Sequence, residues 1–583
     1  MATQGKSLGV AAVALLGLWP ATQTLAFQTR SGDWALSLDT TLSYGVNYRA
    51  EDQDRGLIAR ANGGTGDNTA LINSDDGNLN FQKGELFSEV LKAVSDLDLK
   101  YGENYGLFLR GRAFYDFELE EDERRHRQIS SEGLEEAGSS ADLLDAFAYG
   151  SWSIDERALN ARVGRQVINW GEGLFYQNGI GATNPIDINA LRAPGSEIKE
   201  AFMPTAMISG SYELRDNLTV EGYWQPGWAW EASKIDPCGT YFSTLDVIGE
   251  GCNYLSLPPL QEPLLRGGAF DSPQQAQAYA NSLAPGFVND LLKGYLPGTF
   301  IPRTSDIDAD GAPQYGVALR WLAPQLNDTE LGFYYLRYNM NVPMLGLTVG
   351  QPTTLPVVGV LPVASSSRYY AEYLEKRDLF GISFNTSIGG ESIFNGLSLA
   401  GELSYRPDTP IALGLAEYLP DALLGSRTGL AVGSRLDGYR EKDMYQASLV
   451  AIYSFNGLLG SDSATLLSEV VASRVQDLES DVDYYNATAN ALGAQASLSL
   501  TYPNVFNLVN LVPNVSYQYG FNGVAPQLTN GIVEESRSYS LGVDAIYQEA
   551  FSVGARYVGF SGGGLDNKRS DRDYVSLNIK YSF

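Results

Sequence analysis

The amino-acid sequence predicts an all-β protein, a transmembrane antiparallel β-barrel of about 18 strands, within a range of 16 to 18. Three observations indicate this fold: a long alternating strand near the N-terminus, a similar strand at the C-terminus, and connections that alternate between short and long. Beyond the first few dozen residues, no run reaches the roughly 18 apolar residues of a membrane helix, so any spanning must be done by strands. The mean hydropathy of −0.16 agrees, because barrel strands alternate lipid-facing and lumen-facing residues.

The strands at the two ends of the chain show the alternation most clearly. From Trp34 to Tyr48, almost every second residue is apolar or aromatic, over a length greater than that of most soluble strands. The last strand alternates in the same way and ends on Tyr581 and Phe583. This ending resembles the C-terminal signal that the barrel-assembly machinery reads on bacterial outer-membrane proteins.

Sixteen further segments are amphipathic strand candidates. They are 85–99, 105–117, 141–153, 159–167, 205–213, 218–226, 315–321, 330–341, 378–388, 397–405, 445–455, 464–475, 492–502, 515–521, 539–547 and 551–560. The connections between them are alternately short, as at 154–156, and long, as at 119–140. This pattern is typical of short periplasmic turns and long extracellular loops, with both termini on the periplasmic side.

The N-terminus has the features of an export signal, since Lys6 is followed by an apolar stretch and by small residues before Phe27. We therefore predict a signal peptide and, after export through the periplasm, a barrel in the cell outer membrane of a Gram-negative bacterium. The predicted divisions are 1–26 for the signal peptide, 27–583 for the barrel, and 170–204 and 227–313 for inserted loops that form a candidate internal plug. The second loop contains a helix-like stretch at 272–283.

Cysteine usage and charge exclude several functions. Cys238 and Cys252 are the only cysteines, and such a pair in an exported chain suggests a disulfide that contributes roughly 3 kcal/mol. Two thiols without neighbouring histidines cannot complete a zinc shell, so we expect no metal and no cofactor. The net charge of −29 argues against nucleic acid. The charged run from Glu118 to Arg127 is either a solvated loop tip or a site for lipopolysaccharide phosphates or divalent cations.

Most of the recognisable motifs lie between residues 164 and 200. They are Gly164 to Gly173, Asn184-Pro185-Ile186-Asp187 and Leu191 to Glu200. Together with 75–81, 97–117 and Phe242-Ser243-Thr244, they resemble a proteobacterial outer-membrane family of unknown function, DUF1302, over nearly the whole mature chain. The resemblance implies a barrel that acts with a periplasmic lipoprotein and an RND-type inner-membrane transporter to move lipid or another hydrophobic compound. The cysteine pair departs from the family pattern, which leaves the fold unaffected.

The segment 164–200 mixes charged and aromatic residues with Gly and Pro, and we expect it to fold into the lumen. Its candidate constriction or ligand residues are Trp170, Glu172, Asn184, Asp187, Arg192, Glu197, Lys199 and Glu200. Candidate partners on the lumen wall are Arg110, Arg112 and Arg162. Two interpretations remain open. The loop is either a structural element held by ion pairs, or the constriction, in which case alanine at Glu172 and Arg192 changes transport.

Two outward loops, at 342–361 and 411–424, are unusually apolar. They either pack against each other over the barrel mouth or bind an apolar solute or a protein partner. Catalysis is not expected, because His126 is the only histidine and its neighbours are arginines, which oppose proton acceptance.

The sequence favours a passive outer-membrane channel or conduit for hydrophobic or amphipathic, lipid-like molecules. A polar-solute porin is the first alternative, because predicted lumen positions such as Glu402, Asp544 and Lys580 are charged. A structural or adhesive surface barrel with a sealed lumen is the second. The expected partners are outer-membrane lipids and lipopolysaccharide, the barrel-assembly machinery, and the lipoprotein and transporter that the resemblance implies.

Overall fold

In the computed structural model, eighteen long strands form one closed antiparallel barrel, which confirms the predicted fold class and strand number. The structure describes residues 27–66, 69–257, 300–355, 359–364, 366–389, 396–424, 429–526 and 531–583. The predicted signal peptide and the predicted helix at 272–283 lie outside these residues. The strands are β1 Trp34–Arg49, β2 Leu86–Tyr101, β3 Tyr105–Asp116, β4 Ser139–Ile154, β5 Arg157–Gln166, β6 Thr205–Arg215, β7 Leu218–Gln225, β8 Gln314–Ala323, β9 Thr329–Tyr338, β10 Arg377–Ile388, β11 Leu397–Ala412, β12 Tyr439–Phe455, β13 Ser463–Val475, β14 Asn490–Val505, β15 Val509–Asn522, β16 Arg537–Tyr547, β17 Phe551–Ser561 and β18 Tyr574–Ser582.

The barrel closes where β18 pairs with β1, in a register that runs from Ser582 opposite Thr41 to Tyr574 opposite Arg49. The first residues of β1 extend beyond the end of β18. The short strand Phe27–Ser31 folds back and pairs with them. Closure satisfies the backbone polar groups of both end strands, which have no water partners within a bilayer.

The outer surface of the wall is apolar and the inner surface is polar, as the alternation predicted. Leu541, Val163 and Ile208 point outward with exposed fractions of 58%, 54% and 54%. The inward-facing Ser43 and Asn47 of β1 are buried. Apolar side chains that cover the outside of a closed barrel are stable against lipid, so the wall has the character of a membrane-spanning barrel.

Aromatic side chains lie at both ends of this wall. A row of ring contacts crosses β8 to β12 at the long-loop end, with centroids 6.3, 5.2, 6.3 and 4.7 Å apart, through Tyr315, Tyr335, Phe380, Tyr405 and Tyr445. At the short-turn end, Trp34 contacts Tyr101, and Tyr105 contacts Trp152. Aromatic girdles of this kind lie at the two membrane interfaces. No helix within the described ranges is long and apolar enough to cross a membrane.

Short turns and long loops alternate around the barrel. In the turn between β4 and β5, Asp155 and Glu156 have φ of 49° and 64°, the backbone geometry that matches the twist of a two-residue hairpin. The α-helices of the loops are Asp76–Asn80, Phe117–Glu121, Ser131–Ala137, Ile188–Arg192 and Leu415–Leu424. The 3-10 helices are Arg55–Leu57, Arg60–Asn62, Thr69–Asn73, Ile198–Glu200, Gly227–Ala229, Pro324–Leu326, Leu458–Gly460 and Gly564–Asp566. The short strands of the loops are Tyr254–Ser256, Phe300–Pro302, Met344–Thr348, Pro352–Leu355, Gly359–Ala364, Tyr369–Glu372 and Arg435–Asp437.

The two apolar outward loops pack together over the barrel mouth. Met344–Thr348 forms a three-stranded sheet with Tyr369–Glu372 and Arg435–Asp437. The helix Leu415–Leu424 joins the same apolar cluster, whose buried members are Val247, Ile248, Leu255, Ile301, Leu347, Tyr369, Tyr418 and Ala422. The described parts of these loops therefore bury their apolar residues against each other and against the loop after β7.

The charged run from Glu118 to Arg127 is folded back onto the protein. Arg124 bonds to Glu118 at 3.1 Å and lies 5.0 Å from the ring centre of Phe81, and only 4% of its side chain is exposed. Arg127 forms an ion pair with Asp76. The interpretation as a solvated loop tip is therefore wrong for these two arginines, because neighbouring acids allow them to be buried.

Candidate functional site: the internal loop and the cavities beside it

The connection between β5 and β6, residues 167–204, is called the internal loop here because it bonds to the inner wall of the barrel. Two buried wall glutamates hold its first half. Glu402 on β11 accepts three backbone N–H groups at 2.6 to 3.3 Å. Glu469 on β13 accepts two more at 3.1 and 2.6 Å. The five donors are the backbone nitrogens of Glu172, Gly173, Leu174, Phe175 and Ile180. These bonds replace the sheet bonds that the irregular loop lacks.

The same side of the wall also donates hydrogen bonds to the loop. Arg406 on β11 donates to the carbonyl oxygen of Gly179 at 2.5 Å, and Gln446 on β12 donates to that of Gln177 at 2.7 Å. A Cβ at position 179 would lie 1.9 Å from Oε1 of Glu402, so a larger residue there must displace the carboxylate that anchors the loop. Glycine at this position lets the loop backbone lie close to the wall.

The second half of the loop is held on the opposite side of the barrel, by two ion pairs. Lys92 on β2 lies 2.7 Å from Glu200, and Arg112 on β3 lies 2.9 Å from Asp187. At most 5% of any of these four side chains is exposed. Asp187 also accepts the backbone N–H of Ala190 at 2.9 Å and so caps the helix Ile188–Arg192. Burial of these charges is tolerated because each has a partner of opposite sign.

Two predicted loop residues, Trp170 and Asn184, hold the loop where it joins the barrel wall. Trp170 is buried, donates from Nε1 to Glu221 at 2.8 Å, and contacts the ring of Tyr223. Asn184 is also buried, accepts the backbone N–H of Ile168, and donates to two backbone carbonyls at the ends of the loop. Both side chains fix the loop to the wall and to itself.

The remaining predicted loop residues lie nearer to the lumen. Glu172 accepts a hydrogen bond from Asn385 on β10 at 3.1 Å. Glu197 lies 3.2 Å from Lys199 and 3.4 Å from Lys580 on β18. Neither Glu172 nor Lys199 lines the two large cavities described below, whereas Arg192 lines both.

Of the three predicted wall arginines, only Arg112 bonds to a loop carboxylate. The prediction is wrong for Arg110, which pairs with Asp96 and Asp145 of the wall at 2.7 and 3.2 Å, because the strand register places Asp96 directly opposite it. It is also wrong for Arg162, whose guanidinium lies over the ring of Phe147 at 5.4 Å. Cross-strand neighbours within the wall reach these two arginines before the loop does.

Two polar cavities lie beside the internal loop, against β15 to β18. The upper cavity, of about 510 Å³, lies towards the long loops and is lined by residues such as Gln177, Gln518 and Arg569. The lower cavity, of about 330 Å³, lies towards the short turns and is lined by residues such as Ser552 and Arg556. Arg192 lines both cavities, so it stands where they approach each other.

Arg192 is held at this position by the loop after β7. Its guanidinium forms an ion pair with Asp236 and lies over the ring of Phe242 at 4.6 Å. The disulfide Cys238–Cys252, with a Cα–Cα distance of 5.4 Å, joins the same loop two residues beyond Asp236. The described part of the second predicted plug segment thus positions the arginine between the cavities.

Several of these residues were not singled out from the sequence. Glu402 was predicted to face the lumen, but neither its role as an anchor nor that of Glu469 was recognised. A signal was present, because each is an acidic residue at an inward position in the middle of a barrel strand. Arg569 lies in a loop, where no alternating pattern shows which way a side chain points. The sequence therefore carries no comparable signal for it.

The site and fold define a membrane β-barrel whose lumen is narrowed by an internal loop. Residues 7–583 match the family described as "Protein of unknown function (DUF1302)", and the chain belongs to this family, as the motifs predicted. No curated protein matches the chain.

Solved outer-membrane barrels are similar to this chain in overall outline. OccAB3 of Acinetobacter baumannii is 10% identical with a TM-score of 0.40, and the match covers 94% of this chain and 99% of that one. OccK5 (OpdH) of Pseudomonas aeruginosa is 9% identical with a TM-score of 0.38, covering 94% and 98%. OmpF of Salmonella typhi, solved as a complex with daunomycin, is 9% identical with a TM-score of 0.35, covering 96% and 100%.

Proposed function

We propose that the chain is a passive outer-membrane channel for small polar solutes, with a route that passes the internal loop on the β15 to β18 side. The observation that carries this proposal is Arg192, a single residue that lines polar cavities on both the long-loop and the short-turn sides of the internal loop. An eighteen-stranded barrel is wide enough for an aqueous passage unless a segment fills it. Here the buried anchors of the internal loop are on β2, β3 and β11 to β13, and both cavities lie against β15 to β18.

The location is part of the proposal. The apolar outer wall and the aromatic girdles support insertion in a bilayer. The predicted signal peptide over 1–26 and the terminal Phe583 support export through the periplasm and insertion by the barrel-assembly machinery. A channel of this kind needs no cofactor and no catalytic residue.

Cysteine substitution in the lower cavity tests the route. Ser552 lines this cavity, while its neighbour Val553 points outward with 43% of its surface exposed. Because Cys238 and Cys252 are joined to each other, an introduced cysteine is the only free thiol of the chain. In planar bilayers, Ser552→Cys should lose most of its conductance when a bulky water-soluble thiol reagent is added.

The variant Val553→Cys is the matched control and should conduct normally with the same reagent. Absence of any steady conductance from the folded, purified barrel contradicts the channel and favours the sealed structural or adhesive barrel. Conductance that the reagent leaves unchanged in Ser552→Cys contradicts the route beside β15 to β18.

A lipid conduit that acts with a periplasmic lipoprotein and an RND-type transporter is the second candidate. It is favoured by a smaller cavity of about 90 Å³ above the internal loop, the size of a short acyl-chain segment, with an apolar part formed by Met340, Val342, Met344, Met444 and Ile186. Lipid that copurifies with the barrel and is lost in Met344→Asp, while the barrel stays folded, would support this function. Copurifying lipid that is unaffected by the substitution contradicts it.

A further inference from the structure

The lower cavity contains a cation without a partner. Arg556 lies on the inward face of β17, and its side chain is exposed to the lumen. Within the described ranges, no acid lies within ion-pair distance of its guanidinium and no group accepts a hydrogen bond from it. Lys580 lines the same cavity and lies 3.4 Å from Glu197. The one acid that lines this cavity, Asp544, accepts a hydrogen bond from Asn514 at 3.2 Å.

The upper cavity repeats this arrangement. Among the residues that the structure describes, Arg569 has no ion-pair partner, and its guanidinium lies 5.9 Å from the ring centre of Phe560. Burial, followed by the positive charge of Arg192, lowers the pKa of Arg569 to about 10, so the group remains charged at neutral pH. Lys568 lies next to it and bonds to the hydroxyl group of Tyr485 at 3.4 Å.

The acids of the upper cavity are engaged with other groups. Asp236 forms the ion pair with Arg192, and Asp566 accepts a hydrogen bond from Asn486 at 2.6 Å. The cations therefore exceed the acids along both cavities, in a chain whose net charge is −29. The negative net charge of the protein attracts cations, whereas the local charge along the two cavities is positive.

We propose that the route selects small anions, solutes that bear a carboxylate or a phosphate group, with Arg569, Arg192 and Arg556 as successive contacts. This inference rests on the proposed channel function and names its substrate class. A sequence of cations along the two cavities attracts an anion into the narrow part of the lumen and offers it a next partner at each step. Because Arg556 and Arg569 are not neutralised by the protein, a passing oxyanion is the group that completes their hydrogen bonding.

Reversal potentials measured across a planar bilayer with a potassium chloride gradient test the proposal. The reversal potential of the unmodified barrel should have the sign of the chloride equilibrium potential. Arg556→Glu should move it towards the potassium potential, and Arg556→Lys should retain the original value. The matched control is Arg162→Glu, which changes the same charge at a lumen-facing arginine that lines neither cavity, and it should have a much smaller effect.

Replacement of chloride by potassium succinate and by potassium phosphate separates the two kinds of oxyanion, and permeation of either supports the proposal. Cation selectivity of the unmodified barrel, or equal shifts in Arg556→Glu and Arg162→Glu, would overturn it. A barrel that does not conduct at all contradicts the channel function itself, whereas a barrel that conducts without anion preference contradicts only the substrate class.

Discussion

The two sides of the lumen use the same residue types for opposite purposes. On the anchored side, the name used here for the two wall regions that bind the internal loop, β2 and β3 and, across the barrel, β11 to β13, inward-facing Lys92 and Arg112 are buried and paired with acids of the loop. On the cavity side, formed by β15 to β18, inward-facing Arg556 has no such partner. An arginine on a barrel strand is therefore an anchor where a loop carboxylate reaches it, and it is a lumen contact where it faces a cavity.

The energetics of burial explain this division. A charge that is taken out of water is destabilising unless a partner of opposite sign and hydrogen bonds replace its hydration. The loop covers Lys92 and Arg112, so each needs an acid. The cavity beside Arg556 holds space for water, and the guanidinium can stay hydrated there without a protein partner.

The strongest test of the anchored side is removal of its two loop-binding carboxylates. In Glu402→Gln combined with Glu469→Gln, five charge-assisted bonds to loop N–H groups are weakened, each of which contributes about 1.5–3 kcal/mol. We expect the first half of the loop to leave the wall and single-channel conductance to change several-fold. Glu330→Gln is the control, because among the described residues that carboxylate bonds to Arg320 of the wall and not to the internal loop. Unchanged conductance would show that the loop is held by other contacts.

A smaller but still large effect is expected at the buried pair between Lys92 and Glu200. Glu200→Met alone leaves a buried ammonium group unpaired and should lower the free energy of unfolding by about 3–5 kcal/mol. The double variant with Lys92→Met should recover most of this loss. The temperature at which the folded band disappears in gel-shift assays measures both. Lys580→Met, on the cavity side, should cost less than about 1 kcal/mol, since its ion pair is partly exposed. Equal losses in all three contradict the distinction between the two sides.

The disulfide tests how firmly Asp236 is held beside Arg192. Serine at both Cys238 and Cys252 should lower the local stability of the loop after β7 by about 3 kcal/mol, because the open loop has more conformational freedom when unfolded. Hydrogen exchange of this loop should accelerate while that of β2 stays unchanged. Faster exchange across the whole barrel would instead indicate a global role.

The smallest expected effect concerns Glu136, an acid on the anchored side whose Oε2 has no hydrogen-bond partner within the described residues. Burial, opposed by Lys234 and assisted by Glu250, raises its pKa from 4.5 to about 8. A carboxyl group whose pKa is higher in the folded state than in the unfolded state stabilises the fold fully at a pH below its unfolded pKa. This stabilisation is lost as the pH rises through the folded pKa of about 8. Protease resistance of the helix Ser131–Ala137 should therefore fall as the pH rises from about 5 to about 9, the range that contains the shift in the pKa of Glu136.

The variant Glu136→Gln should remove most of this pH dependence. Glu135→Gln, an exposed substitution on the same helix, should retain it. If both variants retain the full dependence, another group is responsible for the transition.

The sequence alone was enough to predict the barrel, because a strand with one face in lipid and one in a polar lumen must alternate, and this alternation is clear in β1 and β18 and weaker in several other strands. It also determined the number of strands and the alternation of turns and loops. The segment 164–200 was recognisable from its mixture of charged residues with Gly and Pro, since such residues do not continue a strand.

Which side chains act together depends on the folded structure and could not be predicted from the sequence. The strand register placed Asp96 opposite Arg110 and so removed that arginine from the internal loop. The path of the loop placed Glu200 on Lys92 and left Arg556 facing a cavity. Periodicity gives the face of a strand on which a charge lies, but the partner of that charge depends on contacts between segments far apart in the chain. For this reason the sequence predicted that charged residues face the lumen, and the folded structure showed which of them bind the internal loop and which line the cavities.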